Sequence, residues 1–183
     1  MNDRYTPTFN IHEAVRKTLP YMMEMREYFH AHPELSEKEF DTCKTIFQEL
    51  SLMGIEDVKI IAGTGVTGLI HGALPGPVIL LRADIDALPL TEKFDCPYSS
   101  LVDGVMHACG HDTHAACLLV LARILSEHPE LVKGTVKFIF QAAEEKGFVA
   151  IGVNLNQNGI APDYVMASML KKLDSCAYHA IAI

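Results

Sequence analysis

Basic residues are scarce in this 183-residue chain: 15 Lys and Arg stand against 23 Asp and Glu, a formal net charge of −8. That balance repels phosphate backbones and anionic bilayer surfaces, so nucleic acid and membrane partners are not expected. Long apolar runs are missing as well. The longest, from Ala115 to Ile124, is interrupted by Arg123, whereas a membrane span needs about 20 apolar residues. The start, Met1 to Asn10, is polar and has no basic segment leading into an apolar one, so no signal peptide is expected. Five cysteines, an odd number at irregular spacing, fit a reducing cytoplasm better than a disulfide framework, and a cytoplasmic location is expected. Gly (12) and Pro (9) are too few for collagen or disorder beside 49% hydrophobic residues, which suffice for a buried core.

Two helical regions come first. One runs from Ile11 to Ala31, with Pro20 able to open a new turn or bend it. The other has Phe40, Cys43, Phe47 and Leu50 at helical spacing, Gly54 as its stop, and Ser36 and Glu39 ahead of it in a capping-box pattern. Strand-like runs follow at 58–61, 66–71 and 78–83, then a helix over 113–127 with Asp112 available as N-cap and Pro129 as stop. Residues 136–140 are a further strand and 164–167 a weaker one. This alternation predicts an α/β fold with a mostly parallel or mixed sheet and helices on both faces.

Chemistry-bearing residues gather at strand and helix ends. Val78-Ile-Leu-Leu-Arg82-Ala-Asp84-Ile-Asp86 is an apolar strand ending in two carboxylates, which point to one face where open α/β sheets place ligands. Turn capping or pairing with Arg82 is the plain alternative. His107-Ala-Cys109-Gly-His111-Asp112-Thr-His114 precedes a helix, and Cys109 and His111 are ligand types that zinc-like cations accept. Asp112 either caps that helix or holds an imidazole. In a rival reading Cys109 is a thiolate nucleophile and a distant histidine such as His71 its base. Phe138-Ile-Phe-Gln141-Ala-Ala-Glu144-Glu145 is a third strand ending in acids: one can stay on a metal while the other moves a proton. Gly63-Thr-Gly65-Val-Thr-Gly68 spells a dinucleotide fingerprint, but strand-like Leu69-Ile70-His71 follows it where a helix N-terminus is needed, so it is read as a hairpin turn. His30 and His32, at a helix end before Pro33, are given a surface or packing role.

Taken in order, His30-Ala-His-Pro-Glu-Leu-Ser36, Leu81-Arg-Ala-Asp-Ile-Asp-Ala-Leu-Pro89, His107-Ala-Cys-Gly-His-Asp-Thr-His114 and Phe138-Ile-Phe-Gln-Ala-Ala-Glu-Glu145 resemble the zinc-peptidase-like amidohydrolases of the aminoacylase and carboxypeptidase G clan. The nearest branch resembles hippurate hydrolase, N-acetyldiaminopimelate deacetylase and the plant auxin-conjugate hydrolases. That resemblance implies a zinc-peptidase-like catalytic domain with two divalent ions (Zn, Mn, Co or Ni). It implies cleavage of the amide bond of a small-molecule N-acyl amino acid substrate. Carried over by motif, Cys109, His111 and Glu145 are metal ligands, Glu144 is the general base, and Asp86, with Asp84, orients a ligand from behind. The ion would polarise the acyl carbonyl and lower the pKa of its bound water to about 7.

Departures from the family pattern are also present. Gln141-Ala142-Ala143 replaces the usual Gln-Pro-Ala, and Lys146-Gly-Phe-Val replaces a glycine-rich stretch. The family's next histidine is missing, because none lies between His128 and His179. Residues 10–147 are expected to be family-like and 148–183 to be a divergent tail, with the small dimerisation domain of an often homodimeric family absent. The chain is thus expected to be the N-terminal part of a catalytic domain. The alternative is a non-catalytic remnant with residual metal binding.

Overall fold

A computed structural model describes residues 9–147, 162–167 and 179–182. Helix α1 spans Ile11–Ala31, and Asn10 caps it by accepting from the Glu13 amide at 3.2 Å. Pro20 lies inside this helix, which continues through it as one element. Met25 and Phe29, four apart, bury the inner face of α1. Helix α2, Phe40–Leu52, buries Cys43, Ile46 and Leu50 on one stripe. Gly54 then turns left-handed at φ 73, as expected for a C-terminal glycine, and the amides of Gly54 and Ile55 close the last turn.

The start of α2 differs from expectation. Glu39 is the N-cap residue, but neither its side chain nor that of Ser36 caps the helix. The free amides of Asp41 and Thr42 instead donate to the two carboxylate oxygens of Glu34, at 3.2 and 2.8 Å. A carboxylate at a helix N-terminus serves both the orphan N–H groups and the helix dipole.

Six strands form one sheet in the order β1-β2-β4-β3-β5-β6: β1 Glu56–Ile61, β2 Gly65–His71, β3 Leu74–Asp84, β4 Lys133–Gln141, β5 Tyr164–Ala167 and β6 His179–Ala182. Only the centre, β4-β3-β5, is parallel; β1, β2 and β6 pair antiparallel. The sheet is therefore mixed, not mainly parallel. The short connection between β1 and β2 permits nothing else. Its left-handed residues, Ala62 and Gly63, make the expected hairpin from the glycine-rich stretch.

Alternation along the strands divides the core in two. Val66, Ile70, Ala83, Val136, Phe138 and Phe140 pack with Phe29, Ile46, Leu50 and Leu119 in one cluster, while Ile61, Leu80 and Ile139 form another. Helix α3, His111–Glu127, sends Ala115, Ala116, Leu119 and Ala122 into the first cluster. Because β3 and β4 are parallel, with Asp84 opposite Gln141, the loops leaving their carboxyl ends emerge on one edge of the sheet. No helix among the described residues is long and apolar enough to cross a membrane.

Replacing Glu34 by Ala should lower stability by about 1–2 kcal/mol in urea unfolding, because two amides of α2 lose their acceptor.

Candidate metal centre

Gly110, at φ 89, bends the chain so that α3 begins at His111, which is buried against Asp86. The Nδ1 of His111 lies 2.9 Å from the Asp86 carbonyl oxygen and 3.2 Å from Asp86 Oδ1. A carbonyl oxygen only accepts, so Nδ1 donates and the lone pair of the neutral ring resides on Nε2. That nitrogen faces Glu144 Oε2 at 3.8 Å and Glu145 Oε1 at 3.9 Å.

Asp86 is 1% exposed and does more than orient an imidazole. Its Oδ2 also accepts from Ser36 Oγ at 2.7 Å and from the Glu145 amide at 3.0 Å. Burial alone would raise its pKa, but the bonds from His111, Ser36 and the Glu145 amide outweigh it and hold the carboxyl below its usual value. One residue thus fixes both the histidine ring and the segment carrying the two glutamates. That segment leaves β4 through Ala143, a non-glycine residue in left-handed conformation at φ 56, and enters a 3-10 turn over Glu144–Lys146. The Ala143 amide donates to Glu39 Oε1 at 2.8 Å.

Donor atoms of Cys109, His111 and Glu145 all lie within 4.8 Å of one another. Those of Asp84, His111 and His114 meet the same limit. Glu145 Oε1 is buried with no hydrogen-bond donor among the described residues. A thiol, an imidazole lone pair and carboxylates converging in this way make a mixed S, N, O set that suits zinc-like divalent ions. The donors fit a metal on the chemistry of the set and on that orphaned oxygen.

Asp84 makes the pairing considered as the plain alternative for it, and its donor atom also stands in the second of those clusters. It forms a buried ion pair with Arg82, whose Nε also donates to Gln141 Oε1 at 2.6 Å. Burial pushes its pKa up to about 7 against the pull of Arg82 and His111. The thiolate-nucleophile reading of Cys109 fails on two grounds. Burial and the carboxylates of Glu145, Glu144 and Asp84 push the thiol up to about 11. His71 pairs with Thr135, six residues and roughly 20 Å of strand from Gln141 at the site end of β4.

Of the surface and packing roles expected for His30, the surface one does not hold, and its buried ring is hydrogen-bonded as well as packed. Only 7% exposed, its ring stands between Asp112 Oδ2, 2.7 Å from Nδ1, and Glu92 Oε1, 3.1 Å from Nε2. Arg26 also donates to Asp112 Oδ2, at 3.1 Å, and lies 4.5 Å over the Tyr98 ring. Asp112 therefore holds an imidazole and does not cap α3, where Gly110 is the N-cap. His32 does stay near the surface, its Nδ1 2.8 Å from the Tyr28 carbonyl. His114 stacks on His111 at 5.5 Å between ring centroids. Burial lowers the pKa of both His107 and His114 to about 4, keeping them neutral. Ser36 and Glu39 were missed as site residues because their spacing is also that of a helix cap. Only the concentration of His, Glu and Ser in that short motif hinted at more.

The sequence profile of peptidase family M20/M25/M40 matches residues 80–174, just over half of the chain. Thermostable carboxypeptidase 1 of Saccharolobus solfataricus is 44% identical over 134 residues, 73% of this chain and 34% of that protein. N-acetylcysteine deacetylase of Bacillus subtilis is 49% identical over 126 residues, 68% of this chain and 33% of that protein. Among solved structures, the YXEP protein of Bacillus subtilis, described as a dinuclear metal-binding peptidase of the M20 family, aligns with TM-score 0.76 and 40% identity over 85% of this chain and 44% of its own. The chain spans about a third of the length of the curated relatives it matches.

Substituting His30 by Ala leaves the buried Asp112 carboxylate with Arg26 as its side-chain donor among the described residues and should cost about 2–3 kcal/mol by chemical denaturation.

Proposed function

This chain belongs to peptidase family M20/M25/M40, and from that membership we propose that it carries the metal-binding part of a hydrolase site acting on the amide bond of N-acyl amino acids. One observation carries the reading: the donor atoms of Cys109, His111 and Glu145 converge within 4.8 Å, with Glu144 beside the same imidazole nitrogen. The deacetylase name of a 49% identical relative supports the substrate class, and the dinuclear metal-binding description of a 40% identical solved relative supports two metal ions.

Cys109, His111 and Glu145 would hold the ion. A bound divalent cation supplies Lewis acidity toward the acyl carbonyl and toward water. Everything else is done by side chains. Asp86 fixes the His111 tautomer, so its Nε2 lone pair is available for coordination. Glu144, whose side chain is 34% exposed, accepts the proton of the attacking water. As water oxygen bonds to the acyl carbon and the C–N bond breaks, Glu144 delivers that proton to the leaving nitrogen, giving a carboxylate and a free amine. Asp84, held by Arg82, lies beside His111.

A second reading, metal binding without turnover, rests on a specific observation. Three donors converge with Glu144, and the chain offers no histidine between His128 and His179.

Cobalt titration of the full chain should produce a thiolate-to-cobalt charge-transfer band that Cys109→Ser abolishes and EDTA reverses. No band in the unmodified chain sinks both readings. In assays with N-acetyl and N-benzoyl amino acids, the chain by itself should show little or no turnover. Chelator-sensitive turnover that Glu144→Gln lowers by about 100-fold or more would exclude the second reading.

A further inference from the structure

We propose that Glu39 is a positioning residue of the metal centre, holding the left-handed bend that presents Glu144 and Glu145 to His111. The proposal deepens the metal-site reading above and rests on it. Glu39 is 0% exposed and stands at the N-cap position of α2, yet its side chain makes no cap bond to that helix. Its two oxygens serve other elements: Oε1 accepts from the Ala143 amide at 2.8 Å and Oε2 from Thr64 Oγ1, on the β1–β2 hairpin, at 2.6 Å.

Ala143 sits at φ 56 and ψ 35, a region that a residue with a Cβ enters only against steric resistance. A bend of that kind persists when its surroundings hold it. Here two buried carboxylates hold alternate amides of one turn, Glu39 that of Ala143 and Asp86 that of Glu145. Without the first, the turn is anchored at one end only, and the glutamate oxygens at 3.8 and 3.9 Å from His111 Nε2 lose their fixed distance.

Hydrogen chemistry separates the variants. Glu39→Gln keeps a carbonyl oxygen for the Ala143 amide and turns an NH2 toward Thr64, whose hydroxyl can rotate to accept. Glu39→Met keeps the bulk and supplies neither. Hydrogen exchange of the metal-free full chain reads the turn directly, and cobalt titration reads the centre. Peptides covering residues 142–147 should exchange about tenfold faster in Glu39→Met, and its cobalt affinity should fall about tenfold with an altered thiolate band. Glu39→Gln should stay within about threefold of the unmodified chain in both.

Unchanged exchange at 142–147 in Glu39→Met overturns the proposal. Should that variant lose protection equally across β3 and β4, Glu39→Asp decides, since it is one methylene short of reaching both Thr64 and Ala143. Loosening confined to the turn in Glu39→Asp supports positioning, and uniform loosening overturns it. A missing cobalt band in the unmodified chain fails the metal-site reading, while the exchange result still decides what Glu39 holds.

Discussion

A carboxylate taken out of water must find donors, and Asp86 finds them on three segments far apart in the chain. Ser36 lies 50 residues before it, His111 25 after and Glu145 59 after. Removal of any one leaves a buried charge short of a partner, so the cost is set by the unmet desolvation more than by the lost bond. This requirement couples the connector between α1 and α2, the start of α3 and the turn after β4. Two of these, the start of α3 and the turn after β4, carry the candidate ligands Cys109, His111 and Glu145. The same residue places His111: its backbone carbonyl sets the tautomer and its carboxylate holds the ring, so the site follows from how Asp86 is satisfied.

Around that point negative charge accumulates. Asp84, Asp86, Glu144 and Glu145 surround His111, and among the described residues the Lys or Arg paired with one of these carboxylates is Arg82, on Asp84. Like charges this close raise one another's pKa, as Glu144 and Asp86 do for Asp84 and the two glutamates do for Cys109. A divalent cation would oppose each of those shifts at once. The arrangement makes physical sense as a cation site and little sense as a set of structural ion pairs.

Legibility in the sequence followed range. Signals that local physics settles were readable: the helical period of Cys43 and Leu50, Gly54 as a stop, the hairpin at Gly63, and the adjacency of Cys109 with His111 and of Glu144 with Glu145. Matters decided across long separations were not. The antiparallel flanks arise because β2 lies beside β4, a neighbour more than 60 residues on. Asp112 was legible as a carboxylate near a helix start, but its partner His30 is 82 residues away. Ser36 and Glu39 show the ambiguity most sharply. Ser-x-x-Glu before an apolar run is a helix-capping signature, and the same two groups serve distant acceptors and donors equally well.

What releases them is Glu34. Because its carboxylate takes the first free amides of α2, the hydroxyl of Ser36 and the carboxylate of Glu39 are not needed at the helix end. The connector is fastened on its other side too, where the Ala87 amide donates to the Glu34 carbonyl at 2.8 Å, just after Asp86. Lys146 reaches across to Glu37 at 2.5 Å. One short link between two helices therefore touches the loop after β3 through Glu34, Asp86 through Ser36, the bend at Ala143 through Glu39 and the end of the glutamate turn through Glu37. The contacts of the helical layer therefore reach every segment of the candidate centre through this link, and the helix cap at Glu34 is part of how the centre is held.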